Sequence, residues 1–285
     1  MNNSKAILKK PGTMKIIAAD IPVPKEHEVL IKIEYVGICG SDVHGFESGP
    51  FIPPKDPNQE IGLGHECAGT VVAVGNRVSK FKPGDRVNIE PGVPCGHCRY
   101  CLEGKYNICP DVDFMATQPN YRGALTHYLC HPESFTYKLP DNMDTMEGAL
   151  VEPAAVGMHA AMLADVKPGK KIVILGAGCI GLMTLQACLC LGATDITVVD
   201  VLEKRLAMAE QLGAKVVING AKEDTVARCQ QLSGDMGADI VFETAGSAIT
   251  VKQAPYLVMR GGKIMIVGTV PGDSAINFLK INREV

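Results

Sequence analysis

Three glycines, Gly176, Gly178 and Gly181, form G-x-G-x-x-G directly after the apolar run KIVIL and directly before a second apolar run with the character of a helix. A strand that turns into a helix through such a loop belongs to a parallel sheet, so this spacing constrains the second half of the chain more than any other feature. Gly176 permits the tight turn, Gly178 lets the backbone approach a pyrophosphate, and Gly181 lets helix and strand pack closely. The helix start, with Cys179 and Ile180, offers free N–H groups to phosphates. Asp200 closes the run ITVVD nineteen residues beyond Gly181, where a carboxylate accepts hydrogen bonds from ribose hydroxyls. This combination selects NAD, because the carboxylate repels a 2'-phosphate. Lys204 and Arg205 nearby keep the phosphorylated cofactor open, and Arg205 is placed with the cofactor-binding residues.

The surrounding pattern agrees. After about Pro153 strands and helices alternate: KIVIL, a helical stretch, ITVVD, a helix from Glu203 to Leu212, KVVI, DIVFETAG and KIMIVG. That is the order of a doubly wound parallel α/β sheet. Gly246 and Gly268 end its last two runs, on the edge where a dinucleotide lies. Five strands are recognisable before the chain reaches INREV, so the sheet is expected to lack the last of the usual six. From Lys5 to about Val87 the text is instead short β-branched runs, VLIKIEYV, GTVVAVG and DRVNIEP, punctuated by Gly and Pro, which marks a mainly β half. The boundary is expected between Glu152 and Lys170, giving domains over 1–154 and 155–285.

At 285 residues and 46% hydrophobic content the chain has enough material for a core in each half. Its 28 Lys and Arg against 31 Asp and Glu leave a net charge of -3, without the basic surface that nucleic acids require. The opening MNNSKAILKKPG lacks the apolar core of a signal peptide, and the apolar run from Ile172 to Leu191 is broken by glycines. A soluble cytoplasmic protein with a small-molecule partner, bound neither to nucleic acid nor to membrane, is the expectation.

Eleven cysteines in a chain of this kind point to metal rather than disulfides, since four of them fall within fifteen residues. Cys95, Cys98, Cys101 and Cys109 sit in GVPCGHCRYCLEGKYNICP, a loop over 91–110 that suits a closed tetrahedral zinc; an iron–sulfur cluster uses the same four thiolates and stays open on spacing alone. His97 inside the loop reads as a bystander. Cys188, Cys190 and Cys229 read as small buried hydrophobes. A second constellation is scattered: Cys39 in VGICGSDVHG, His65 and Glu66 in GLGHECAG, and Glu152 in ALVEPAAVG. Each has a plain explanation alone. Together they supply one soft, one borderline and two hard ligands, compatible with a zinc that keeps a position for water or substrate.

GICGSDVHG, GHECAGTVVAVG, KPGDRV, the four-cysteine loop, YKLPDN, EGALVEPAAVGMHA and GAGCIG with Asp200 together resemble the zinc-containing medium-chain dehydrogenases, within them the sorbitol, xylitol and L-iditol dehydrogenase branch, along nearly the whole chain. The resemblance implies a GroES-like catalytic domain followed by a Rossmann cofactor domain, two zinc ions per chain, one catalytic and one structural, and NAD. By position, Cys39, His65 and Glu66 become catalytic zinc ligands. Glu152 stands beside the metal as a further ligand or catalytic neighbour, where classical alcohol dehydrogenases carry a cysteine. Asp42 becomes the carboxylate that orients His65, Ser41 and His44 form a proton relay, and Arg283 lies near the substrate. The implied reaction oxidises a secondary hydroxyl of a polyol to the ketose: zinc lowers the pKa of the hydroxyl, and hydride passes to the nicotinamide. A homo-oligomer, dimer or tetramer, follows from the same resemblance. A dehydrogenase for butanediol or threonine, and a truncated protein that binds zinc and dinucleotide without turnover, are the alternatives the residues leave open.

Overall fold

Within the run EVLIKIEYVG, Ile31 and Ile33 are buried while Lys32 and Glu34 face water, the alternation of a strand with one dry face, and register shifts at Leu30/Ile31 and Ile33/Tyr35 accompany a buried Leu30 and an exposed Tyr35. The computed structural model describes residues 2–270 and 272–284, the side chains of 282–284 excepted, so the side chain of Arg283 lies outside the described residues. The chain divides into two units, Met1–Glu152 and Pro153–Val285.

The first unit contains β1 (Asn3–Lys10), β2 (Thr13–Ala19), β3 (Glu28–Gly37), α1 (Gly40–Ser48), β4 (Ile61–Gly62), β5 (Glu66–Val74), β6 (Arg86–Ile89), β7 (Gly92–Val93), α2 (Arg99–Leu102), β8 (Asp113–Phe114), β9 (Tyr128–Pro132), β10 (Thr136–Lys138) and α3 (Thr145–Ala149). Its main sheet is antiparallel in the order β10-β6-β5-β3-β9, beside a three-stranded sheet β2-β1-β4. Val29, Ile31, Ile33, Cys67, Val71, Val87 and Ile89 fill the core between them and the loops above. β7 and β8 pair as a clasp at the base of the four-cysteine loop. The helix α1 is an element that a mainly β reading of this half does not contain.

From Pro153 on, α4 (Val151–Leu163) leads into β11 (Lys171–Leu175), α5 (Cys179–Cys190), β12 (Asp195–Asp200), α6 (Glu203–Gln211), β13 (Val216–Asn219), α7 (Thr225–Ser233), β14 (Ala238–Glu243), α8 (Ala248–Leu257), β15 (Val258–Ile266) and α9 (Phe278–Glu284). The five strands are parallel in the order β13-β12-β11-β14-β15. Both faces are dry: Ile172 and Ile174 pack under α4 and α5 with Ile196, Val198, Ile240 and Phe242, while Val173 and Leu175 meet Val199, Val241 and the residues of α7 and α8 on the other side. Continuous apolar strands are the consequence of coverage on two faces. Cys188 and Cys229 are buried as expected of small hydrophobes, but Cys190 is exposed, because the last turn of α5 presents it to solvent while Cys188 faces the sheet.

One buried polar group in the first unit carries a pH signature. His131 on β9 is enclosed, its Nε2 lies 2.9 Å from the Glu90 carbonyl, and burial pushes its pKa down to about 4 from 6.5. The stability conferred by the neutral ring is complete above pH 6.5 and is lost as pH falls toward about 4. Denaturant unfolding across that window should show a slope in the natural chain that flattens in His131→Asn.

Candidate active site

The end of β3 and the start of β5 are opposed in register, Gly37 facing Glu66. Two residues beyond Gly37 the chain turns into α1 with Cys39 at its N-cap. The carboxylate of Asp42 closes this turn: Oδ2 accepts from the Cys39 amide at 3.0 Å, and Oδ1 accepts from the Gly64 amide at 2.7 Å. Cys39, His65 and Glu66, separated by 26 positions in sequence, thereby come together, with one ligand atom of each within 4.8 Å of the others. Asp42 therefore acts on the backbone before His65, not on the imidazole ring as expected. Phe114 packs its ring edge against His65, centroids 5.6 Å apart. Glu66 fits only because position 37 has no side chain: a Cβ on Gly37 would overlap Glu66 Oε2.

The electrostatics are those of a site made for a cation. Burial pushes the Cys39 thiol up, against a hydrogen bond from Ser41 that pulls it down. Burial also raises the carboxyl of Glu66, which His65 opposes. Glu152, in the first turn of α4, is raised by burial and by Glu66 and Asp42. It feels the cluster but stands outside the three mutually close ligand atoms. Gathering a thiol and carboxyls out of water is costly unless a positive charge offsets it. Thiolate, imidazole and carboxylate are the donors zinc accepts when one position is left open.

Ser41 and His44 stand three residues apart on α1 and so share a helical face. Ser41 is at the cluster, hydrogen-bonded to Cys39. His44 is half-buried, its ring stacked on Phe51 with centroids 3.8 Å apart and planes 5° from parallel.

The four cysteines of the other constellation also converge. Sγ atoms of Cys98 and Cys101 are 3.4 Å apart, and those of Cys95 and Cys101 and of Cys98 and Cys109 are 3.9 Å apart. A tetrahedron of sulfurs about one zinc, with bonds of about 2.3 Å, has edges of about 3.8 Å. In an iron–sulfur cluster the four thiolates are shared among different irons and need a wider arrangement. Amides of His97 and Cys98 help draw the Cys95 thiol down to about 6, and burial sends that of Cys101 up to about 12, so these two thiols release their protons unequally. His97 is exposed, its Nδ1 2.9 Å from the Cys95 carbonyl.

In the second unit the glycine loop links β11 to α5. Gly176 has φ of +104°, and a Cβ on Gly181 would strike the Gly176 carbonyl, so turn and helix approach as the motif requires. At Gly178 a Cβ would meet nothing, which leaves the space beside that backbone open to a phosphate. Cys179 and Ile180 form the first turn of α5. Asp200 is buried; Oδ2 accepts from the Ala177 amide at 2.7 Å, and Oδ1 from the amides of Val201 and Leu202. It thus holds the loop to the end of β12. Arg205 lies 3.6 Å from the same carboxylate. Gly246 and Gly268 follow β14 and β15 and are joined through Glu243, which donors from both segments reach.

Sequence reasoning missed Gly37, whose signal is a glycine immediately before a ligand-bearing turn, and Glu243, whose signal is an acid inside an otherwise apolar strand. Phe51 had no signal beyond its proximity to the motif.

Two family models match: the alcohol dehydrogenase GroES-like domain over residues 25–141 and the zinc-binding dehydrogenase model over residues 179–284. An Escherichia coli zinc-type alcohol dehydrogenase-like protein, YdjJ, described as uncharacterized, is 93% identical over the whole of this chain and 82% of its own length. Sorbitol dehydrogenase of Bacillus subtilis is 41% identical over 94% of this chain and 75% of its own. The crystal structure of a zinc-binding dehydrogenase from Sinorhizobium meliloti bound to NADP superposes with a TM-score of 0.90 at 30% identity, over 99% of this chain and 82% of that one. No helix among the described residues is long and apolar enough to cross a membrane.

Gly37→Ala places a methyl group on Glu66 Oε2 and should weaken zinc binding at the Cys39 cluster by about tenfold or more while sparing the cysteine loop. Competition of the metal-loaded variant against a graded chelator measures both sites.

Proposed function

The chain belongs to the zinc-binding alcohol dehydrogenases, in the branch of the sorbitol dehydrogenases, and on that footing we propose that it oxidises a secondary hydroxyl of a polyol, such as sorbitol or xylitol, to the ketose with NAD. It is an oxidoreductase that works with zinc and a nicotinamide cofactor on a small alcohol. The observation that carries the polyol reading is the donor set of Cys39, His65 and Glu66 with a second carboxylate, Glu152, close by. A cluster with two carboxyl groups suits a substrate with several hydroxyls better than an apolar alcohol, and sorbitol dehydrogenase of Bacillus subtilis is among the relatives.

Zinc, when bound by Cys39, His65 and Glu66, supplies the Lewis acidity that lowers the pKa of a substrate hydroxyl. Asp42 holds the backbone that carries two of these ligands, so their geometry is set before metal or substrate arrives. The proton leaves by Ser41 and then His44 on the same face of α1, with Phe51 holding the imidazole in one orientation. In the second unit, the α5 start takes the pyrophosphate and Asp200 the adenosine ribose, with Gly178 leaving room for the backbone approach. The four-cysteine loop takes a second, structural zinc, closed to substrate because all four positions are filled by protein. The assembly is proposed to be a homo-oligomer.

A second reading, NADP as cofactor, draws on the Sinorhizobium meliloti neighbour and on Arg205 at the ribose end. The contact between Arg205 and Asp200 favours NAD, since the guanidinium is engaged by the carboxylate that would repel the extra phosphate.

Formation of reduced cofactor from sorbitol and xylitol, compared with 2,3-butanediol and threonine, tests the substrate class. Polyol turnover with NAD that disappears with chelation and returns with zinc is expected; preference for butanediol or threonine would refute the polyol assignment. Cys39→Ser should lower kcat by more than about a hundredfold, and His44→Ala by roughly tenfold to a hundredfold with an altered pH profile. Asp200→Ala should lose the discrimination between NAD and NADP.

A further inference from the structure

A buried carboxyl group lies at the carboxyl edge of the parallel sheet, and no step above uses it. Glu243, the last residue of β14, is 0% exposed. Its Oε1 accepts three hydrogen bonds, from the amides of Ala245 at 3.1 Å and Gly246 at 3.0 Å and from the Thr250 hydroxyl at 2.7 Å. Oε2 is buried and has no hydrogen-bond partner among the described residues. It is directed at Gly268, where a Cβ would come within 2.7 Å of it. The main-chain carbonyl of Glu243 accepts from the amides of Val267 and Gly268. Both segments that leave the sheet at this edge are thus gathered on one residue.

Holding the loops does not account for the charge. All three partners of Oε1 are neutral, and an uncharged side chain of the same shape would accept the same three bonds. A half-satisfied buried carboxylate is among the most expensive groups a core can keep. Three donors on one oxygen are an arrangement suited to an anion.

Its position gives the charge a counterpart. The strand order β13-β12-β11-β14-β15 changes direction at β11, and a dinucleotide lies across the strand ends at such a reversal. Asp200 at the end of β12 marks the adenosine side and the α5 start the pyrophosphate. A bound dinucleotide would therefore lay its nicotinamide half over the ends of β14 and β15, where Glu243 sits. The nicotinamide ring bears a positive charge in the oxidised cofactor and none in the reduced one. A fixed anion in a poorly screened interior attracts the first and is indifferent to the second.

We propose that Glu243 is a charge-selecting residue: its buried, unpartnered carboxylate oxygen strengthens binding of the oxidised nicotinamide cofactor relative to the reduced one. The inference rests on the nicotinamide cofactor of the reaction above and adds a preference between its two redox states.

Calorimetric titration of the zinc-loaded protein with NAD, with NADH and with benzamide adenine dinucleotide, an uncharged isostere of NAD, tests it. In the natural chain NAD should bind about tenfold more tightly than the benzamide isostere. In Glu243→Gln that advantage should vanish and the ratio of NAD to NADH dissociation constants should shift by about tenfold toward NADH, while Glu243→Asp, which keeps the charge, should restore it. Thermal melting shows whether each variant is folded, and the comparison of NAD with its isostere on the natural chain stands even where a variant is not. Equal binding of NAD and the isostere by the natural chain, or a Glu243→Gln ratio unchanged in a folded variant, overturns the proposal while leaving the cofactor assignment intact. Failure of the natural chain to bind NAD or NADH would overturn the cofactor assignment and the proposal together.

Discussion

The carboxylate of Asp42 bridges the Cys39 amide and the Gly64 amide, and the gathering of Cys39, His65 and Glu66 in the first unit depends on that bridge. One oxygen closes the turn into α1, and the other fixes the loop that delivers His65 and Glu66 onto β5. The side chain is buried, so these charge-assisted bonds are made where water competes little and where their loss would leave two amides without acceptors. Around it the sheet register sets Gly37 against Glu66, and absence of a side chain at one position becomes room for a carboxylate at the other. Ligand geometry thus follows from backbone hydrogen bonds and strand pairing.

The second unit uses acids at strand ends in a comparable way. Asp200 closes β12 and grips the glycine loop through the Ala177 amide. Glu243 closes β14 and grips the segments after β14 and β15. Each sits at the carboxyl edge of the sheet, and each serves loop shape and charge at once. They differ in how their charge is answered. Asp200 has Arg205 at 3.6 Å, whereas the partners of Glu243 Oε1 are neutral and its Oε2 has none among the described residues.

Features encoded over short distances were legible in the sequence. KIVIL, ITVVD and the glycine loop appear as read, because both dry faces of a parallel strand and the turn that follows it leave local marks. The four cysteines converge as their spacing suggests. What was less legible depended on contacts between distant segments. The helix α1 is built on GSDVHGFES, which contains two glycines and little apolar content; it forms where Asp42 caps the Cys39 amide, a bond hidden in a region otherwise read as strands. The role of Asp42 toward Gly64 spans 22 positions and follows from no periodicity. Cys190 was misread because a helix end so close to a buried Cys188 turns through a wide angle in two residues.

The two candidate metal sites differ in how much of the chain must be arranged before each exists. Cys39, His65 and Glu66 are drawn together by β3, α1 and β5, so their geometry presupposes the pairing of β3 with β5. Cys95 to Cys109 lie in one short loop clasped by β7 and β8, with Leu102 and Ile108 left in solvent rather than in a core. Closing so short a loop costs little chain entropy and needs no distant partner. An ion at the cysteine loop would therefore need only that loop to close, whereas one at the other cluster would need the sheet to pair first.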